Sequence, residues 1–380
     1  MVQQNMDLRS GELSTMPSVF DSADINGMLL SNRFVRSATW EGMATEDGRC
    51  TDRLIELMVR LAQGGVGLVI TGHAYVHRRG QAGPWQLGIY DDALIPGLTR
   101  MAGDVHERSG KIVAQLAHAG LYADAQLTGR PPLAPSAVTD LTTALPDEMC
   151  PADIERVVEA FANAARRAKT AGFDGVQIHA AHGYLLSQFL SPRFNRRSDT
   201  YGGNLANRSR IVREVLDAVR RQVGPETPVL VKLNAGDYLE GGLELEEALE
   251  IAALLETDGI DAIELSGGTG ASGKLRPVRT GINREEQEAY FESEAREFRK
   301  RLSVPLLLVG GIRSFSVAER IVSQNIADCI SMSRPFIREP DLVNRWKSGD
   351  RSRATCLSDN RCFVPIRNGE GVYCVSAKRR

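Results

Sequence analysis

The sequence predicts a closed (β/α)8 TIM barrel, and three observations carry that expectation. Four segments, "LAQGGVGLVIT", "AKTAGFDGVQIH", "LETDGIDAIELS" and "IVSQNIADCISMS", share one grammar: a helical stretch ends at Gly or Asn, the chain turns, and a continuously apolar strand begins. Strands without a polar face are the mark of buried parallel sheet. Four further runs bring the count to eight, with helical patterns between them. Finally, no Gly-x-Gly-x-x-Gly turn follows the first strand, which places an open doubly wound sheet second.

Each element follows in order. Residues 1–31 read as a flexible tail and a floor under the barrel, which itself spans residues 32–345. "NRFVRSAT" at 32–39 is the first strand, and the second ends in "TGH" at 71–73. The third, "KIVAQLAH" at 111–118, is followed by a proline-rich excursion over 120–150 that would roof the active face. The pattern "ADIERVVEAFANAARRAKT" has acidic residues early, apolar residues at helical spacing and basic residues late, so it leads as a helix into the fourth strand. "PVLVKLN" at 228–234 is the fifth strand, the helical "ELEEALEIAALLET" leads to the sixth, and "VPLLLVGG" at 304–311 is the seventh. The eighth ends in "SMS", and residues 346–380 form a cysteine-containing extension.

Composition narrows the function classes. The chain is 42% apolar and 25% charged, enough for a large core. Lys plus Arg (46) nearly balances Asp plus Glu (48), so no field gathers polyanions, and neither nucleic acid nor a membrane is an expected partner. The N-terminus lacks an apolar signal core, and no run approaches the roughly 18 apolar residues of a membrane helix. Six cysteines in 380 residues make no disulfide framework. The reading is a cytoplasmic protein with small-molecule partners, a homo-oligomer being allowed.

Barrel chemistry sits at the C-terminal strand ends, with phosphate held after strands seven and eight. There the chain places Gly310 and Gly311, which let backbone N–H groups approach an anion, and then Ser333 and Arg334. Other strand ends offer Ser37, Ala38 and Thr39, Gly72, Gln115 and Lys232, a set that suits a flat heterocycle with imide-like edges. In "QIHAAHGY", His179, His182 and Tyr184 can face the same cavity. Zinc would need further ligands; His118 is at hand, but no acidic residue with ligand spacing accompanies it. Two imidazoles binding a carbonyl or nitro oxygen, with a phenol delivering a proton, fit better, and a purely structural polar turn stays open.

These residues carry a resemblance. "NRFVRSAT", "QLAHAG", "GFDGVQIHAAHGYLLSQFLSPRFNRRSDTYGGNLANRSR" and "SRPFIREPDL" are similar to the Old Yellow Enzyme family of FMN-dependent ene-reductases, over about residues 20–340. The resemblance implies FMN, with NADH or NADPH as reductant and an activated alkene as acceptor. It implies that His179 and His182 bind the substrate's activating group and that Tyr184 is the proton donor. Gln115 and Lys232 would contact the pyrimidine side of the flavin, Ala38 and Thr39 its N5 and C4 edge, and Gly310, Gly311, Ser333 and Arg334 its phosphate. Lys232 and Ser333 stand where many members have arginine and glycine, and both changes keep a cation or a backbone donor. Trp40 replaces a cysteine of some relatives and would cover part of the flavin face and meet substrate.

Larger members similar to dienoyl-CoA reductases hold a [4Fe-4S] cluster just after the barrel. Here Cys356, Cys362 and Cys374 remain, but Asp359 occupies the place of a fourth thiolate, so a degenerate remnant is expected rather than a cluster or any other metal site. A three-cysteine zinc site with an aspartate is the minor alternative. Two other function classes stay in view: a Schiff-base lyase using Lys232 as nucleophile, and a non-catalytic flavin-binding protein.

Overall fold

The computed structural model describes residues 16–141 and 145–379. The flexible tail expected at the N-terminus lies, over residues 1–15, outside the described residues. Eight strands form the barrel: β1 (Phe34–Arg36), β2 (Leu68–Ile70), β3 (Ile112–Ala117), β4 (Gly175–Ala180), β5 (Val229–Asn234), β6 (Ala262–Ser266), β7 (Leu306–Leu308) and β8 (Cys329–Met332). Each pairs in parallel with the next, and β8 returns to β1 through Ile330 opposite Phe34 and Met332 opposite Arg36. The ring is therefore closed and all eight expected strands are present. A short extra strand, Ala74–Tyr75, adds to β3 above β2.

Seven helices alternate with the strands: α1 (Asp52–Gln63), α2 (Ile95–His106), α3 (Pro151–Thr170), α4 (Leu205–Val223), α5 (Leu245–Thr257), α6 (Glu292–Arg301) and α7 (Phe315–Ser323). After β8 comes a five-residue turn of helix, Arg334–Arg338, and then α8 (Leu342–Lys347). Local chemistry sets their ends. The Thr51 hydroxyl accepts the Leu54 N–H at 3.2 Å to start α1, and the Asn204 amide accepts the Asn207 N–H at 3.0 Å to start α4, each satisfying an orphan donor. α1 stops at Gly64, where a Cβ would lie 1.8 Å from the Pro340 carbonyl oxygen.

The two faces of the strands feed two cores. One parity, with Phe34, Val69, Ile178, Val231 and Ile263, packs against the helices. The other points inside the cylinder, where Val35, Leu68, Val113, Leu230, Leu307 and Cys329 meet Ile25, Met28 and Leu30 of a two-stranded N-terminal ribbon. That ribbon plugs the bottom, as barrel interiors are packed rather than open. Burying a side chain such as Leu230 contributes about 1.5–3 kcal/mol.

Two residues above this apolar layer, the same inward parity changes character to Ser37, Gln115, Gln177, Lys232, Glu264 and Ser331, all buried. A strand's period of two makes this a single polar storey on an apolar plug. One step higher stand His179, Asn234 and Ser266.

Candidate active site

The polar storey is internally bonded. The Lys232 ammonium donates to Ser37 Oγ at 2.8 Å and pairs with Glu264 Oε2 at 3.1 Å. Gln177 Nε2 donates to the same Glu264 oxygen at 3.0 Å, and Gln115 Nε2 donates to Gln177 Oε1 at 2.7 Å. Burial pushes the Glu264 carboxyl up, but the Lys232 charge and hydrogen bonds from Ser37, Gln177 and Lys232 outweigh it, so the group lies below its usual range. One cation and one anion are thus fixed side by side at the floor of the C-terminal mouth.

Above them opens a cleft of about 200 Å³. Ser37, Ala38, Thr39, Trp40, Gln115, His179, His182, Tyr184, Lys232 and Ser333 all line it, together with His73, Ser266, Pro277, Val278, Val309 and Phe363. A smaller hollow beside it is lined by Gly311, Arg313, Ser331, Ser333, Arg334 and Ser358. The two share Pro277, Val278, Val309 and Ser333 as walls, so ring-sized and anion-sized spaces are neighbours. Arg334 is held by donating to the Arg279 carbonyl and to Asn360 Oδ1, both at 2.8 Å. Gly311 has φ +74°, and a Cβ there would meet the Tyr290 ring at 2.7 Å, so only glycine fits.

Two of the residues expected at the ligand, Gly72 and Gly310, line neither hollow. The Gly72 N–H donates to Glu41 Oε1 at 2.8 Å, and Glu41 in turn pairs with buried Arg36 at 2.7 Å. The Gly310 carbonyl accepts the Tyr290 N–H at 3.1 Å. Both glycines fix the backbone beside the cleft.

The imidazole pair and the phenol converge. The His179 ring centroid lies 5.2 Å from that of His182 and 5.0 Å from that of Tyr184. His182 sits in the left-handed region at φ +64°, which a non-glycine residue adopts at a cost and which clusters at functional sites. Its N–H donates to Asn234 Oδ1 at 3.1 Å and its Nε2 meets Ser266 Oγ at 2.7 Å, so β5 and β6 hold the strained turn. His179 Nδ1 and Trp40 Nε1 are buried without partners in the protein, as is Ser331 Oγ in the smaller hollow. Orphaned polar atoms of this kind in adjoining hollows are what a polar ligand would satisfy.

Burial holds both imidazoles well below their usual value; for His179 the His182, Lys232 and His73 charges add to it, and for His182 those of Lys232 and His73. Burial lowers His73 to about 4 and, with His77 and Arg79, lowers His118 to about 3. An unfolded histidine takes its proton near pH 6.5, whereas these stay neutral in the fold until lower pH. The unfolded chain therefore gains protons first as pH falls, and stability, full above about pH 6.5, is lost progressively below it. Each such histidine costs up to about 2 kcal/mol by about pH 5. The thermal midpoint should drop between about pH 7.5 and about pH 5, and a flat midpoint across that window would contradict the neutral assignment.

The C-terminal extension reaches this region. Phe363 lines the cleft and Ser358 the smaller hollow, while Asn360 binds Arg334 and donates to the Val278 carbonyl at 3.0 Å. Arg313 donates to the Cys356 and Ile282 carbonyls. Cys356 and Cys362 are buried and Cys374 half-buried, with its sulfur 3.7 Å from Arg338 Nη1. Among the described residues, no group of three or more His, Cys, Asp or Glu side chains is arranged to hold a metal ion, and no helix is long and apolar enough to cross a membrane.

Comparison with known proteins decides the family. Residues 18–352 match the model of the NADH:flavin oxidoreductase / NADH oxidase family. The chain belongs to this family. Within the NADH:flavin oxidoreductases it is 34% identical over 382 residues to the NADH oxidase of Thermoanaerobacter brockii, covering 95% of this chain and 58% of that protein. The chain thus spans little more than half the length of that relative. Among solved structures, a 2-naphthoyl-CoA reductase in complex with 2-naphthoyl-CoA superposes with a TM-score of 0.88 at 28% identity, over 94% of this chain and 56% of that one. An Old Yellow Enzyme homologue from Zymomonas mobilis gives 0.76 at 28% identity, over 90% and 96%. The barrel and the Old Yellow Enzyme resemblance read from the sequence are both borne out.

Of the residues in and beneath the cleft, sequence reading passed over Gln177, Glu264, Ser266, Asn234, His73 and the tail's Phe363. The first four share strand parity with Lys232 or Gln115, a signal present in the alternation. His73 stands at the second strand's end, in the "TGH" already marked. Phe363 had no local signal, because its place follows from how the tail folds back.

Proposed function

We propose that this chain is an FMN-dependent oxidoreductase that uses NADH or NADPH to reduce activated alkenes. The observation that carries the reading is the cleft in which two neutral imidazoles and a phenol face a wall holding a buried ammonium, next to a hollow holding Arg334 and Gly311. The orphaned His179 Nδ1, Trp40 Nε1 and Ser331 Oγ fit a ligand with both polar edges and an anionic tail.

Gln115, Lys232, Ser37, Ala38 and Thr39 would hold the FMN ring, and Ser333, Arg334 and Gly311 its phosphate. When bound, FMN supplies hydride transfer, from a reduced nicotinamide to the β carbon of an α,β-unsaturated carbonyl, nitroalkene or conjugated thioester. The chain's own residues do the rest. His179 and His182, kept neutral by burial, hydrogen-bond the acceptor oxygen and polarise it. Tyr184, whose phenol burial pushes well above its usual value, keeps its proton at ordinary pH and delivers it to the α carbon. Trp40 and Phe363 lend apolar surface that excludes water.

The Lys232 ammonium is engaged by Glu264 and Ser37, which counts against its service as a Schiff-base nucleophile. The six cysteines are all unpaired, which suits the reducing cytoplasm. Anaerobic titration of the FMN-loaded protein with NADH and with NADPH, followed by enones, nitroalkenes and enoyl thioesters, tests the reading. Bleaching of the flavin band by one nicotinamide and its return with an alkene are expected. A colourless protein that takes up no FMN would end the proposal, and bound flavin that no nicotinamide reduces would favour a non-catalytic binding protein.

A further inference from the structure

His73 is a cleft residue that nothing above puts to use. It follows β2, lines the cleft half-buried, and its Nε2 lies 3.2 Å from the Tyr184 hydroxyl. The two rings meet edge to face at 5.4 Å, and the Trp40 and His73 rings do so at 6.4 Å. The His73 carbonyl is tied to Gln86 Nε2 at 2.7 Å, so its backbone is fixed as well. A half-buried imidazole packed against two aromatic rings and set within hydrogen-bond distance of one phenol oxygen is more than packing requires.

We propose that His73 is a positioning residue for Tyr184, its Nε2–H donating to the phenol oxygen so that the phenol's own proton points into the cleft. The inference rests on the reading of Tyr184 as proton donor. When the Tyr184 O–H bond breaks, a C–H bond forms on the substrate's α carbon and the electron pair stays on the phenol oxygen. The charge left there is met by the His73 N–H, a hydrogen bond that strengthens as the charge appears. A proton from water then restores the phenol. An imidazole that burial keeps neutral serves as donor without competing as the acid.

The test compares His73→Phe and His73→Gln in FMN-loaded enzyme, by the ratio of the oxidative rate (flavin reoxidation by a nitroalkene) to the reductive rate (flavin bleaching by nicotinamide). A hydrogen bond to a charged group corresponds to a loss of about 10- to 100-fold in that ratio for His73→Phe. His73→Gln, which keeps an N–H donor, should recover most of it. In a Tyr184→Phe background, His73→Phe should add nothing further. An unchanged ratio in His73→Phe, equal losses in both variants, or the same loss on top of Tyr184→Phe would each overturn the inference. If Tyr184→Phe itself leaves the ratio unchanged, the failure lies with the role of Tyr184. If Tyr184→Phe lowers the ratio and His73→Phe does not, only the role of His73 fails.

Discussion

Replacing Tyr184 with phenylalanine should slow reoxidation of the reduced flavin by an alkene by about 10²–10⁴-fold, the range that a positioned general acid supplies. The ring would keep its place against His179 and His73, 5.0 and 5.4 Å between centroids, so the loss is of the proton alone. Reduction of the flavin by nicotinamide needs no proton from this phenol and should change far less. Anaerobic stopped-flow measurement of the two half-reactions separates them, and equal slowing of both would count against Tyr184 as the acid. Because burial holds the phenol above its ordinary value, the wild-type oxidative step should show no loss of the acid form through neutral pH.

The second large effect is expected at Lys232. Its ammonium is 3.1 Å from Glu264, and both side chains are buried within the cylinder. Lys232→Met removes the cation and leaves the Glu264 carboxylate in low dielectric without a counter-charge, which costs about 3–5 kcal/mol of stability when one partner of a buried pair is lost. Chemical denaturation should register that loss, and FMN affinity should fall with it because the cleft wall loses its cation. Lys232→Met combined with Glu264→Gln should restore most of the stability, by removing the stranded charge, without restoring the flavin. A stable single variant that binds FMN as the parent does would refute the part assigned to this pair.

The barrel was legible because its strands are buried on both faces and so read as unbroken apolar runs ending at turns. Local rules also pointed to Gln115, His179, Lys232 and Tyr184, which lie within or just beyond the barrel strands and line one cleft. They failed where a residue's place depends on partners far along the chain. Gly72 was singled out for its place at a strand end, and its N–H is taken by Glu41, a partner that only the folded barrel brings within 2.8 Å. Glu264, within the strand "AIELS", carries no local mark of its role. It is the counter-ion of Lys232, and only register, which sets Lys232 opposite Glu264 on neighbouring strands, discloses that. The cysteines drew attention to the tail for metal chemistry, whereas the tail's neighbours in the cleft and hollow are Phe363, Asn360 and Ser358.

That folded-back tail would tie the proposed ligand's grip to a segment remote from the chemistry. Asn360 braces the guanidinium of Arg334, and Val372 N–H reaches the Glu41 carbonyl at 2.7 Å, close to the first strand's end. If Arg334 holds the ligand's anionic end as proposed, docking of residues 346–379 and occupancy of the mouth are two sides of one equilibrium. Whatever peels the strap away weakens the bound molecule by the same factor that the bound molecule fastens the strap, so a change far outside the reaction centre can tune how tightly the pigment is kept.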